Sequence, residues 1–238
     1  MRQMTTVEAV PLTPRCARIY AAREHALLGI GASDGYFSLP VITGLLRWGL
    51  RHFARVDVLV PGMELAGTLA VRGDRKALRR ARAAIDNTRD RVAAALETLG
   101  RPEVGVFSWT DLVARSAYSG LRHEIDRLYV EDPDFREHCA AALEPVLHLP
   151  RPDPSRIREA VPSLLSELPL MLDTPSIVGT GSSVFCYPRM LPVARRLYAG
   201  LLPIHPSPSQ GMVTTRLTAA YAGAAHWHRG DGNGSSCA

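Results

Sequence analysis

The chain has 238 residues, of which 46% are hydrophobic, and a formal net charge of +5. This length and apolar content predict one packed domain, and no apolar run is long enough to cross a bilayer. The four cysteines are scattered without a CxxC pair, so we expect reduced thiols in a cytoplasmic protein rather than a disulfide or zinc framework. The positive charge is a weak indication of a polyanionic partner.

The sequence pattern predicts strands that alternate with helices. Residues 1–23 contain Pro11 and Pro14 among several arginines and show no clear period, so we expect a loosely packed N-terminal arm. The elements predicted after this arm are, in order, strand 25–30, helix 39–53, strand 56–60, helix 75–99, strand 104–107, helices 110–128 and 132–147, a helix capped by Ser155 that stops by Pro169, strand 183–187, helix 192–200 and an edge strand at 212–216.

This alternation predicts an α/β fold, in which a Rossmann-like parallel sheet is flanked by helices. We expect the sheet and its helices to form a single domain over residues 24–229. Residues 230–238 are small and polar, and we expect them to be a disordered tail.

The helix predicted at 75–99 has a cationic face. At about 100° per residue, its small apolar positions fall opposite a broad band of basic ones. The basic residues are Arg75, Lys76, Arg79, Arg80, Arg82, Arg89 and Arg91. A charge run is usually a solvated face, but the excess of one sign supports binding of a phosphate backbone equally well.

One carboxylate, Glu167, lies within the apolar stretch 164–171. If it faces a pocket, desolvation would raise its pKa, and a cationic ligand would restore the charged form. Such a group could hold an ammonium or transfer its proton. Alternatively, Ser163 and Glu167 form the polar face of a helix in water, and the residues alone leave both interpretations open.

A loop of small residues, 29–35, follows the first strand. Ligands bind at the carboxyl ends of strands in open α/β folds, which makes this loop a candidate site. The dinucleotide fingerprint needs a small residue where Asp34 stands, so a nicotinamide or flavin is not expected. The sequence also has no P-loop and no GxSxG elbow, and its histidines lack metal-ligand spacing, so we expect neither a cofactor nor a metal.

Several separated segments resemble one family, the cyclodipeptide synthases, which make a cyclic dipeptide from two aminoacyl-tRNAs. The matching pieces are 25–38 with its Tyr36-Phe37-Ser38, Trp48, strand 56–60, the basic helix, Tyr118, residues 129–133, Glu167-Leu168-Pro169 and residues 182–188. Tyr187-Pro188 resembles the subfamily that carries proline after that tyrosine. The resemblance covers roughly residues 22–220 and is specific through the combination of its short motifs.

The resemblance implies a fold like the catalytic domain of class I tyrosyl- and tryptophanyl-tRNA synthetases, a monomer, and aminoacyl-tRNA as the partner of the basic helix. It implies that Glu167 holds the aminoacyl ammonium and that Tyr187, together with Tyr118, steers protons. The implied pocket for the first aminoacyl side chain favours apolar or aromatic groups. That pocket would be lined by Leu27, Gly29, Leu59, Trp109, Leu170, Met171 and Phe185.

Two positions depart from the family pattern. The family's nucleophilic serine stands directly after the Gly-Ile pair, and this chain has Gly31 there. The family also has a tyrosine four residues before the glutamate, and that tyrosine helps to position the aminoacyl amine. This chain has Ser163 in its place. Glycine cannot form an acyl-enzyme, and Ser33 could replace the serine only in a rebuilt loop.

We therefore expect amide-bond formation from aminoacyl-tRNA by direct attack of an amine, since proximity alone can supply much of the acceleration. The amine would belong to a second aminoacyl-tRNA or to a small molecule. The alternatives are a conventional synthase that uses Ser33 and a non-catalytic homologue that binds aminoacyl-tRNA.

Overall fold

The structure is a computed structural model that describes residues 6–32, 35–147, 153–190 and 192–217. Its described strands form one sheet in the order β1-β6-β5-β2-β3-β4. Neighbouring strands are parallel except for β1, which runs antiparallel to β6. The strands are β1 (Val7–Pro11), β2 (His25–Gly29), β3 (Arg55–Val60), β4 (Gly105–Ser108), β5 (Ser183–Tyr187) and β6 (Gln210–Leu217).

Helices cover both faces of the sheet. They are α1 (Pro14–Ala22), α2 (Leu39–His52), α3 (Leu65–Val71), α4 (Ala77–Leu99), α5 (Trp109–Leu112), α6 (Ser116–Glu131), α7 (Pro133–Leu147), α8 (Pro154–Val178) and α9 (Pro192–Tyr198). Successive residues of a strand point to opposite faces, so Ala26 and Leu28 pack into the core under α2 and α4. Leu27 enters the other core, under α6 to α9. None of the described helices has the length and apolar character of a membrane span.

A buried polar network joins the amino ends of the central strands. The Nδ1 atom of His25 lies 2.7 Å from Ser183 Oγ, and its Nε2 atom lies 3.3 Å from Asp57 Oδ2. Asp57 also accepts hydrogen bonds from Arg55 Nη2 at 2.7 Å and from the Gly105 N–H at 3.2 Å. Burial by itself raises the pKa of Asp57, but the hydrogen bonds and charges of His25 and Arg55 outweigh it and hold the pKa below its usual value.

The prediction of a loosely packed N-terminal arm is wrong for the part that the structure describes. Residues 7–11 form β1, and α1 begins after Thr13, whose hydroxyl caps it by accepting from the Cys16 N–H. Cys16 is fully buried against β6. The strand was missed because it is a short edge strand with alternating partial burial that ends in Pro11. As a consequence β6, predicted as an edge strand, lies between β5 and β1.

The helices differ from the prediction in three places. The helix predicted at 110–128 is interrupted at 113–115 and forms α5 and α6. Residues 65–71 form α3, to which the sequence pattern assigned no element. The helix expected to stop by Pro169 continues as α8 to Val178, with a kink at Asp173. Proline inside a helix costs about 3 kcal/mol, but nearly every apolar side chain from Leu164 to Met171 is buried and offsets that cost. The predicted tail, 230–238, lies outside the described residues.

Candidate active site

A cavity of about 200 Å³ lies where the parallel strands end. The residues that follow β2, the last residues of β3 and the end of β5 form its floor. This is the edge at which open α/β sheets bind ligands. The lining includes Gly29, Gly31, Leu59, Glu64, Thr68, Arg72, Trp109, Ser163, Glu167, Phe185 and Tyr187, together with apolar residues of α7, α8 and α9.

Glu167 reaches this cavity from α8. Its neighbours Ser166 and Leu168 are buried in the core, and the glutamate itself is half-buried in the cavity wall. Desolvation raises its pKa to about 7, with no compensating charge or hydrogen bond from the described residues. At neutral pH the carboxyl group can therefore exist in both protonation states, which suits it to hold an ammonium or to exchange a proton.

Tyr187, at the end of β5, packs closely on two glycines of the loop after β2. A Cβ on Gly29 would lie 2.8 Å from the Tyr187 ring, so only glycine leaves room for it. A Cβ on Gly31 would lie 3.1 Å from the Tyr187 hydroxyl oxygen and 3.1 Å from the Phe37 ring. The hydroxyl of Tyr187 thus lies over the position where a side chain at residue 31 would begin.

Tyr118 is placed differently from its predicted role in steering protons. It is 2% exposed and is not among the residues that line the cavity. Its hydroxyl donates to the backbone oxygen of Ser166 at 2.9 Å, and burial raises its pKa. Tyr118 therefore contacts the turn of α8 that carries Glu167, behind the cavity wall.

The pocket residues predicted from the resemblance divide into two groups. Gly29, Leu59, Trp109 and Phe185 line the cavity. The other three, Leu27, Leu170 and Met171, are fully buried in the core behind it and do not line the cavity. These three side chains belong to the same buried core as Leu59 and Phe185, which do line the cavity.

Ser163 lies in the cavity wall, but its hydroxyl is engaged. It donates to the backbone oxygen of Glu64 at 2.7 Å and lies 3.3 Å from the Thr68 hydroxyl that donates to it. These bonds join α8 to the start of α3. Ser33, the other serine considered from the sequence, lies outside the described residues.

Sequence reasoning missed the contribution of the segment between β3 and α4. Glu64, Thr68 and Arg72 all line the cavity from this segment. The one available signal was the Pro61-Gly62 turn, which places the following residues at the carboxyl edge of the sheet. Within the described ranges, no group of three or more His, Cys, Asp or Glu side chains could hold a metal ion.

The basic residues of α4 and of the turn before it are mostly exposed. Ala77, Ala81 and Ile85 are buried, as the predicted amphipathic pattern requires. Arg91 instead donates to the backbone oxygen of Phe37 at 2.8 Å, and Arg89 pairs with Asp111 at 2.8 Å. The residues that remain exposed around them are Arg75, Lys76, Arg79, Arg80 and Arg82. The helix therefore presents a cationic surface and is also bonded to the loop after β2.

These features define an α/β protein with a largely parallel sheet and a ligand-sized cavity at its carboxyl edge. The chain belongs to the cyclodipeptide synthase family, whose model matches residues 7–216. It is 30% identical over 211 residues to the cyclo(L-tyrosyl-L-tyrosyl) synthase of Mycobacterium tuberculosis, a match that covers 84% of this chain and 73% of that relative. The family predicted from the sequence is thus confirmed.

Solved structures confirm the predicted fold class. A cyclodipeptide synthetase structure from Mycobacterium tuberculosis, described as related to type I tRNA synthetases, is similar with a TM-score of 0.84 and 26% identity over 91% of this chain and 98% of that one. The fold is also similar to that of tyrosyl-tRNA synthetase from Archaeoglobus fulgidus, with a TM-score of 0.52 and 13% identity over 86% of this chain and 59% of that one. The chain is accordingly an aminoacyl-tRNA-using transferase of the cyclodipeptide synthase kind.

Proposed function

We propose that this protein forms an amide bond by direct attack of an amine on the ester of an aminoacyl-tRNA, without a seryl acyl-enzyme. The observation that carries this proposal is the contact between Gly31 and Tyr187. A glycine stands where the family pattern has its nucleophile, and the Tyr187 hydroxyl lies over it. A group that can transfer protons thus lies beside the place from which a serine would attack.

The reaction needs no further reactant. The amine nitrogen forms a bond to the ester carbonyl carbon, the bond from that carbon to the ribose oxygen breaks, and the released tRNA hydroxyl takes the proton that the amine loses. Binding the ester and the amine side by side can supply about 7–11 kcal/mol of the barrier. An activated ester and a well-placed amine are therefore sufficient for catalysis.

Glu167 and Tyr187 supply the proton chemistry in this proposal. The ionised Glu167 carboxylate binds the ammonium group and accepts a proton from it. The pKa of about 7 favours this proton transfer, because the carboxyl group can exist in both protonation states at neutral pH. Tyr187 donates its hydroxyl proton to the leaving ribose oxygen and takes up the proton that the attacking amine loses, so the phenol is restored. The acceptor amine belongs either to a second aminoacyl-tRNA, which permits a cyclic dipeptide, or to a small molecule.

The hydroxyl groups in the described cavity wall are poor candidates for a covalent mechanism. Ser163 already donates to the backbone oxygen of Glu64, and Thr68 donates to Ser163. Neither has the hydrogen-bonded general base that an activated serine or threonine requires. This arrangement supports direct attack over acyl transfer to Ser163 or Thr68.

We further propose that the exposed basic residues of α4 and of the turn before it bind the tRNA backbone, with the protein acting as a monomer. Exposed arginines are suited to phosphate contacts, and Arg80 is the member of this set that also pairs with an acidic residue, Asp74, at 3.1 Å. The mycobacterial relative is named for tyrosyl substrates, so tyrosyl-tRNA is the first aminoacyl-tRNA to test.

The test is a single-turnover reaction of the full chain with labelled aminoacyl-tRNAs, alone and with candidate amines. Products are identified by mass spectrometry, and the acid-quenched protein is weighed for a covalent aminoacyl adduct. We expect tRNA-dependent amide products, no adduct on the wild-type protein, and full activity in Ser33→Ala. An adduct on Ser33 with loss of product in Ser33→Ala supports the conventional synthase instead. Binding of aminoacyl-tRNA without any product supports the non-catalytic homologue.

A further inference from the structure

Two polar atoms in the cavity wall are buried and have no hydrogen-bond partner: the Oε2 atom of Glu64 and the indole Nε1 of Trp109. Buried polar groups in native proteins are nearly always paired, and an unpaired one costs stability. Two such atoms in one ligand-sized cavity indicate that the partner they lack is the ligand.

The segments that carry the two groups meet at Gly62. The Glu64 carboxylate and the Thr110 hydroxyl oxygen both lie against the position that a Cβ on Gly62 would take. Thr110 follows Trp109, the first residue of α5, so the carboxylate lies beside the first turn of that helix. An ionised carboxylate only accepts hydrogen bonds, whereas an indole N–H only donates.

The rest of the cavity wall is largely apolar. Its aliphatic and aromatic side chains include Leu59, Leu65, Leu143, Leu164, Phe185 and Val193. Arg72 also lines the cavity, but it is exposed, whereas the two unpaired atoms are buried. A ligand group that reaches Glu64 and Trp109 therefore lies against a largely apolar wall, whose other polar side chains are Thr68, Arg72, Ser163, Glu167 and Tyr187.

We propose that Glu64 and Trp109 select an aminoacyl group whose side chain ends in a hydroxyl or a carboxamide. Such a terminus donates to Glu64 and accepts from Trp109 Nε1, so both buried atoms are paired. An apolar side chain leaves both unpaired, an ammonium or guanidinium has no acceptor for the indole, and a carboxylate repels Glu64. This inference rests on the proposed function, because it takes the cavity to hold an aminoacyl group.

The test compares isosteric amino acids carried by the same tRNA body: tyrosine with phenylalanine, threonine with valine, and asparagine with leucine. We expect the wild-type protein to prefer the polar member of at least one pair by about 100-fold or more in kcat/KM, because sites that bind a substrate hydroxyl reject the analogue that lacks it. In Glu64→Leu and Trp109→Phe we expect that preference to fall at least about 10-fold. The control variant Glu124→Leu, at an exposed position of α6, should keep the wild-type preference for the polar member.

Equal or better use of the apolar member in all three pairs would overturn the inference. It is also overturned if Glu64→Leu lowers product formation equally for every amino acid while the preference persists, since Glu64 would then bind an amine. Equilibrium binding of the same pairs, linked to tRNA by a non-hydrolysable amide, separates this inference from the proposed function. A binding preference without product contradicts only the proposed function, whereas product without a preference contradicts only this inference.

Discussion

At the scale of a single residue, the ionised carboxylate of Glu167 suits ammonium binding but lowers the stability of the folded protein. Burial raises the pKa of its carboxyl group from 4.5 to about 7, so the folded protein binds a proton there more tightly than the unfolded chain does. Because the folded state holds more protons between these two values, this group makes stability fall as pH rises from 4.5 to 7. An ionised Glu167 is useful for binding an ammonium, and it destabilises the empty protein.

Replacing Glu167 with glutamine should therefore stabilise the protein at pH 8, by about 2 kcal/mol after allowance for the partial exposure of the side chain. The gain should shrink to about 0.4 kcal/mol near pH 4.5, where the folded wild-type group is protonated and the unfolded group is half-ionised. Urea unfolding of both proteins at pH 4.5, 6 and 8 measures it. In single-turnover reactions, the wild-type rate should rise with pH through about 7, and Glu167→Gln should be slow at every pH. A variant no more stable than the wild type at pH 8 would contradict this account of the carboxyl group.

Gly31 offers a second test at the residue scale, because serine is the residue that the family resemblance predicts at this position. The new Cβ would lie 3.1 Å from both the Tyr187 hydroxyl and the Phe37 ring, so these side chains must shift slightly, at a cost of about 1 kcal/mol. We expect Gly31→Ser to form an aminoacyl ester that intact-protein mass spectrometry detects after reaction with aminoacyl-tRNA.

Gly31→Ala is the matched control for this substitution. It adds the same Cβ without the hydroxyl, so it should lose similar stability and form no adduct. An adduct of equal size on the wild-type protein would mean that another residue, such as Ser33, is already acylated. The proposal of direct attack would then be wrong.

At the scale of the elements, the buried network of His25, Asp57 and Ser183 fixes the alignment of β2, β3 and β5. These are the strands whose carboxyl ends form the floor of the cavity. Asp57 also accepts from the Gly105 N–H of β4, so one carboxylate on β3 contacts both of its neighbouring strands, β2 and β4. The network lies at the opposite edge of the sheet from the cavity, which assigns it to the fold rather than to the reaction.

We expect Asp57→Asn to destabilise the protein by about 3 kcal/mol, because the amide leaves part of this buried network unpaired. Asp86→Asn, at an exposed position of α4, should change stability by less than about 0.5 kcal/mol. Chemical denaturation at pH 7 measures both variants. A loss for Asp57→Asn as small as that of the control would show that the network contributes little to stability.

The elements predicted correctly are those whose sequence pattern agrees with their surroundings. β2 is apolar after His25 and is buried on both faces, as a central parallel strand requires. The prediction failed at β1 and α3, which are short and only partly buried, and at the end of α8, where packing outweighs three internal prolines. Secondary-structure propensity depends on the local sequence only, so it does not include the stabilisation from contacts with distant parts of the chain.

In the candidate site, too, residues in local motifs were predicted, and a residue that depends on the packing of the rest of the chain was missed. Glu167 and Tyr187 were recognised through local motifs, whereas Glu64 stands alone in a segment without a predicted element. Its burial and its lack of a partner are visible only in three dimensions. Leu170 and Met171 show the reverse error, because a motif neighbour need not face the cavity that the motif lines.

At the scale of the whole molecule, if α4 binds the tRNA as proposed, its cationic surface and the cavity bind two parts of one substrate. Arg91 bonds to the backbone oxygen of Phe37, whose ring lies against Gly31, so the basic helix and the loop after β2 are directly connected. A tRNA backbone bound to α4 could thus bring its acylated end to the cavity. Arg89 and Arg91 are already bonded within the protein, which leaves Arg79 and Arg82 among the better candidates for phosphate contacts.

Substituting both Arg79 and Arg82 with alanine should weaken tRNA binding without changing the chemistry in the cavity. Each lost phosphate contact should reduce the slope of log K against log salt concentration by about 0.7–0.9, so we expect a reduction of up to about 1.8 for the pair. Arg18→Ala, at an exposed position of α1, is the control and should leave the slope unchanged. Filter binding of aminoacyl-tRNA at several salt concentrations measures the slope. If the double variant keeps the wild-type slope, or if Arg18→Ala reduces it as much, the tRNA does not bind on this face of α4.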